Sequence, residues 1–144
     1  MLKIIVLTVS AFLFSCAHQG INTVPVELFK GVTIDFPANE LSKVAGDDIS
    51  FYGKDGYLGF VNKEHLPKED QPAVDFIKRG LAMTKSKNKE YQEVSKGDFI
   101  GFITYFEGSA TLHLASSKNP SLVFTISTQK ESIGDVLSTL KTNQ

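Results

Sequence analysis

Cysteine appears once in the 144 residues, at position 16, so no intramolecular disulfide can form. Small exported domains commonly rely on such bridges, and this chain must fold on its own core instead. Histidine is scarce, with three residues, and His65 and His113 stand far apart with no His-x-x-x-His string, which excludes the common helical metal motif. No Gly-x-Ser-x-Gly elbow and no phosphate-binding glycine loop occurs. A Ser-x-x-Lys string does occur, as "SKNK" from Ser86, but it lies in a polar stretch without the other parts of such a site. Neither sign of charge dominates: the formal net charge of −1 lacks the basic excess of a nucleic-acid binder. Internal repeats and low-complexity segments are absent. The one long apolar run, residues 4–14, falls well short of the about 20 residues that a membrane-crossing helix needs.

That short run is nevertheless placed meaningfully. A basic start at Lys3, the apolar stretch "IIVLTVSAFLF" and the small residue Ser15 make the three parts of an export signal. The string "LFSC" resembles the lipobox of bacterial lipoproteins through Leu13, Ser15 and Cys16. The resemblance implies cleavage between Ser15 and Cys16 and acylation of the Cys16 thiol. An ordinary secretory signal cut elsewhere, or a buried N-terminal strand, would leave Cys16 as a spare thiol or a core residue. Residues 1–15 are accordingly read as a lipoprotein signal peptide, residues 16–23 as a lipidated tether, and residues 24–144 as one α+β domain. The polar tether reaches no more than roughly 25 Å at about 3.6 Å per extended residue, which keeps the domain close to the membrane. His18 within it reads as a solvated linker residue. Ala17 follows the cysteine where an Asp often retains lipoproteins in the inner membrane, which favours the outer membrane, facing the periplasm.

The mature chain is long enough to bury about two-thirds of its unfolded surface without staples. Its 42% hydrophobic and 22% charged residues are ordinary for a globular protein. "VPVELF" and "VTIDF", separated by Lys30-Gly31 and closed by Pro37, have the β-branched content of strands. "DISFYGKDGYLGFVN" places two alternating runs around Asp55-Gly56, a hairpin dipeptide. With those residues at the tip, Phe51 would face Phe60 and Tyr52 would lie opposite Gly59. The segment "LPKEDQPAVDFIKRGLAMTK" predicts a helix, with Asp70 as its cap, Pro72 in its first turn, and Ala73, Phe76, Ile77 and Leu81 on one stripe. Gly80 within it marks either close packing or a local weakness of about 1 kcal/mol. The acidic pairs Asp47-Asp48 and Glu69-Asp70 read as capping or solvated groups.

After that helix comes "KSKNK", the most concentrated positive charge of the chain. Lys85, Lys87 and Lys89, with the neighbouring Lys78 and Arg79, form the candidate partner-binding surface, for an envelope protein or anionic lipid headgroups. The final third reads as a meander. "DFIGFITYF" is apolar on both faces, as in a strand covered on both sides. "SATLHLAS" alternates Ala110, Leu112 and Leu114 against Thr111, His113 and Ala115, and "SLVFTIS" follows the turn signal Lys118-Asn119-Pro120. Thr128 and Glu131 stand at capping-box spacing before Ile133, Val136, Leu137 and Leu140, which predicts a closing amphipathic helix.

The expected fold is therefore α+β: an antiparallel sheet with a helix after the first hairpin and a C-terminal amphipathic helix. This order, with "VTIDFP" at its start and "ESIGDVLSTLK" at its end, resembles the PsbP-like α/β sandwich, including the DcrB-type periplasmic lipoproteins. The resemblance implies an accessory or binding protein and carries no catalytic site onto numbered positions. No cofactor, metal or catalytic residue is indicated. The expected function is a non-catalytic, membrane-anchored binding module serving an envelope assembly. The alternative is an immunity or exclusion lipoprotein that blocks a toxin or transfer machinery.

Overall fold

The computed structural model describes residues 23–38, 40–45, 47–53, 55–87 and 89–142. Residues 1–22, which include Ser15, Cys16 and His18 and on which the expected signal peptide and nearly all of the expected tether fall, lie outside the described residues. Among the described residues no helix is long and apolar enough to cross a membrane.

Strands β1 (Thr23–Phe29) and β2 (Val32–Pro37) form an antiparallel hairpin, and Gly31 takes the left-handed conformation that its turn requires, with φ 76°. Seven further strands build a second, antiparallel sheet. These are β3 (Glu40–Ala45), β4 (Asp48–Gly53), β5 (Gly56–His65), β6 (Tyr91–Lys96), β7 (Phe99–Phe106), β8 (Ser109–Ser116) and β9 (Asn119–Gln129), in the order β3-β4-β5-β9-β8-β7-β6. Helix α1 (Ala73–Ser86) carries the chain from β5 to the far edge at β6. The meander β6 to β9 then returns to pair β9 with β5. Helix α2 (Ile133–Ser138) leads into a two-residue strand β10 (Lys141–Thr142), which pairs with β2 and completes a three-stranded sheet β1-β2-β10.

Period-two alternation gives the large sheet two different faces. Its inner face carries Phe51, Val61, Ile103, Leu112, Phe124 and Ile126, all buried against Val26, Leu28, Ile34 and Phe36 of the small sheet and Ile133 and Val136 of α2. Rings bind the layers together: Phe36 stacks on Phe51 at 4.0 Å between centroids, and Phe29 stacks on Phe124 at 5.9 Å. The outer face is smaller in its apolar content. There Ala73 and Ile77 of α1 cover Phe102, Ala115, Val123 and Leu66. Strand β7 contributes to both layers, as its unbroken apolar run predicts.

Several local expectations are corrected. The β4–β5 hairpin pairs Gly53 with Gly56, Tyr52 with Tyr57, Phe51 with Gly59, and Ser50 with Phe60, so the register differs from the sequence reading. Gly56 is not at the tip as expected but already paired with Gly53, which displaces the register by two positions; a bulge at Leu58 then takes one of them back and puts Phe51 over Gly59, which leaves room for its ring to stack on Phe36. Asp70 does not cap α1. It lies in a 3-10 turn, Lys68–Asp70, and Pro72 takes the N-cap position, which leaves Asp70 too far upstream to reach the first free amides. Thr128 and Glu131 form no capping box, because β9 runs on to Gln129 and the buried Thr128 hydroxyl donates to the Leu58 carbonyl at 3.2 Å. The closing helix is short and the described chain ends on a strand. The Thr139 hydroxyl accepts the Asp35 N–H at 2.8 Å, tying the end of α2 to β2. Lys85 stands in the last turn of α1 and not in a loop. Strand β3 and strand β10 were not foreseen as strands.

Candidate functional site

The buried stripe of α1 changes character along its length. Ala73 and Ile77 fill the space over the sheet, but one and two turns further on the same side offers Gly80 and Thr84. Opposite them the sheet presents Thr104, His113 and Thr125, one each from β7, β8 and β9. Small side chains facing small side chains leave a cleft of about 730 Å³ between the helix and the outer face. This is the size of a small-ligand site. At Gly80 the helix backbone comes close to the ring of Phe102, since a Cβ there would stand 3.3 Å from its Cζ. Of the two expectations for this glycine, close packing is the one the structure shows.

Phe76, Ile77, Phe102 and Val123 give the cleft apolar walls. His113 lies against Phe102, with ring centroids 4.9 Å apart and planes at 31°. Burial pushes the His113 pKa below its ordinary value of 6.5, so the imidazole is neutral at pH 7 and offers one donor and one acceptor. Glu64 lies at one end of the cleft. At the other end Met83, Phe106, Lys87, Lys89 and Glu90 surround the mouth. Met83 and Phe106 are 59% and 70% exposed, unusual for large apolar side chains beside a recess. Glu90 meets Lys130 at 3.3 Å, and the Lys130 ammonium lies 4.7 Å from the Tyr105 ring centroid. A shallower recess of about 340 Å³ continues over β4 and β5, between Asp48, Tyr57, Phe60 and Asn62, and shares Thr125 with the cleft. The Asn62 amide donates to Asp48 at its edge.

The five basic residues singled out from the sequence do not share one environment. Lys78 pairs with Asp75 at 3.6 Å. Arg79 pairs with Asp70 at 3.2 Å and lies 5.7 Å from the Phe76 ring centroid. Lys85 pairs with Glu93 at 2.6 Å on β6 and sits 5.5 Å from the ring of Tyr91; its hydrogen bond to Glu93 raises its pKa. Only Lys87 and Lys89 come to the cleft, and neither pairs with a carboxylate among the described residues.

The remaining chemistry-bearing residues are dispersed. The Ser86 hydroxyl donates to the Met83 carbonyl at 2.8 Å and is exposed. His65 is exposed at the end of β5, two strands from His113. Among the described residues no three His, Cys, Asp or Glu side chains gather as a metal site would require. Sequence reasoning placed His113 on the polar face of its strand but did not connect it with Phe102, Thr104, Thr125, Met83 and Phe106. The signal available was the run of Thr and His on the outward positions of "SATLHLAS" and "SLVFTIS", where a covered sheet would carry larger apolar groups. No protein-family model and no curated protein matches the chain.

Proposed function

We propose that this protein is a non-catalytic binding module of the bacterial envelope, anchored through a lipid on Cys16, facing the periplasm from the outer membrane, and built as a PsbP-like sandwich. The observation that carries the reading is the cleft under α1: a recess of about 730 Å³ with apolar walls and exposed apolar lips. Its polar groups are spread along its length and form no acid-base or nucleophile constellation, which supports binding over turnover. The lipid anchor rests on the "LFSC" string, and the sandwich assignment on a small sheet and a helix stacked across a larger antiparallel sheet.

The module serves a larger envelope assembly through the mouth of that cleft. A photo-crosslinking phenylalanine analogue at Phe106, in intact cells, tests it. The expected result is a discrete adduct that is absent when the analogue replaces Lys118, an exposed residue at the opposite end of the sheet, and absent in Cys16→Ser. Equal adducts from both positions would refute the cleft mouth as the working surface.

A further inference from the structure

Strand pairing shows how the cleft lies in the molecule. Glu64, Val123, Ala115 and Ile100 form one row across the sheet, and Gly59, Thr128, Ala110 and Tyr105 form another. Along β7 the two rows are five residues apart, roughly 17 Å at about 3.3 Å per residue. The Glu64 end of the cleft lies at the first row. The lysine end lies at the second, where the Tyr105 N–H donates to the Glu90 carbonyl beside Lys89. The N-terminal strand begins at that same end. Phe36 stacks on Phe51, Phe51 pairs with Gly59, and Thr23 pairs with Pro37, next to Phe36. Thr23, the first described residue, therefore stands at the end of the sheet where Met83, Phe106, Lys87 and Lys89 surround the mouth.

We propose that the cleft holds one single-chain anionic amphiphile, its apolar chain along Phe102 and between Met83 and Phe106 and its anionic head on Lys87 and Lys89. The inference rests on the binding-module reading and names the ligand class of that same site. Three observations carry it. The recess is elongated and apolar along its walls, which suits a chain more than a compact polar metabolite. Its charge is asymmetric: at the mouth the one carboxylate, Glu90, is paired with Lys130, while Lys87 and Lys89 lack carboxylate partners among the described residues, and Glu64 stands at the other end, so an anionic head is attracted to the mouth and repelled from the far end. The two exposed apolar lips lie beside those lysines, where the emerging part of an amphiphile would cover them.

The test uses the full chain in its own membranes and photoactivatable, alkyne-tagged probes of one chain length bearing a carboxylate, a hydroxyl or a trimethylammonium head, with labelled peptides mapped by mass spectrometry. The carboxylate probe is expected to label the peptides containing Met83 and Phe102 roughly tenfold more than the ammonium probe, as two exposed ion pairs allow. Lys87→Glu/Lys89→Glu should abolish that preference, Lys87→Gln/Lys89→Gln should reduce it, and Lys78→Glu, away from the cleft, should leave it intact. Equal labelling by all three heads would overturn the charge assignment and leave the binding module standing. Stronger labelling by an anionic two-chain phospholipid probe would overturn the single-chain assignment. Absence of label from the cleft with every probe, while the Phe106 photo-crosslink still captures a protein, would show that the occupant is a polypeptide.

Discussion

Replacing Gly59 by alanine would place a methyl carbon 1.9 Å from the Ser127 carbonyl oxygen and 2.9 Å from Cζ of Phe36. Even close carbon–oxygen contacts across a sheet settle at about 3.3–3.6 Å. The oxygen cannot swing away, because Ser127 is fixed in β9 opposite Phe60. Either β5 and β9 separate locally or the Phe36–Phe51 stack is pushed apart. The backbone adds a second cost, since Gly59 has φ 147°, a conformation that an L side chain strains at about 1–3 kcal/mol. Overpacking contributes another 1–3 kcal/mol or so, giving roughly 2–6 kcal/mol in all. That is a large part of the about 5–15 kcal/mol by which a domain of this size is stable. With a urea slope of about 2 kcal/mol per molar, the unfolding midpoint followed by far-ultraviolet circular dichroism should fall by roughly 1–3 M. Gly134→Ala in α2 is the matched control, because a Cβ there meets nothing within 4 Å and the helix gains up to about 1 kcal/mol. A Gly59→Ala midpoint within about 0.5 M of wild type would refute the claim that close approach at this glycine holds the bulged register.

Stability should also depend on pH through His113. Its folded-state pKa is lowered by burial, so the unfolded chain binds the proton more readily; the contribution is complete above the ordinary 6.5 and is lost as pH falls below it towards the folded value. Glu64, Lys87, Lys89, Glu90 and Tyr105 line the same cleft, so the comparison is made against His113→Gln, which keeps them all. The fall in urea midpoint between about pH 7.5 and 5.5 should be larger in wild type than in the variant, and equal falls would count against a neutral, buried imidazole. Cys16→Ser should move the protein out of the membrane fraction as a longer, unprocessed precursor, since stable anchoring takes two or more acyl chains at about 0.8 kcal/mol per methylene. Unchanged fractionation would remove the lipoprotein assignment.

Those strands with clear period-two alternation were legible from the sequence, because alternation is a local property. "SATLHLAS" divides its residues between inner and outer faces as read, and the first two strands run as expected around Lys30-Gly31. What escaped depended on distant partners. The bulge at Leu58 exists to serve a ring stack between β2 and β4, and nothing within the hairpin records it. Strand β10 has two residues and no periodicity of its own; it exists because Thr139 is fastened to Asp35, more than a hundred positions away. Thr128 had the spacing of a cap and the environment of a strand, and the pairing of β9 with β5 and β8 decided between them.

The basic run shows why adjacency in sequence is a weak guide to a surface. At about 100° per residue, positions 85 and 87 at the end of a helix point roughly 200° apart. Lys85 is thereby delivered to Glu93 on β6, while Lys87 turns towards Phe102 and the cleft. Lys78 and Arg79, earlier on the helix, are held by Asp75 and Asp70. A cluster of five charges becomes two lysines at the mouth and three ion pairs away from it. The cleft itself was harder to read, because it is made by what is small: Gly80 and Thr84 on the helix, Thr104 and Thr125 on the sheet. Each alone is an ordinary residue in an amphipathic pattern. Only when the crossover from β5 to β6 lays α1 over the outer face do these positions oppose one another, and the space they leave lies where two lysines without carboxylate partners among the described residues and two uncovered apolar side chains meet the solvent.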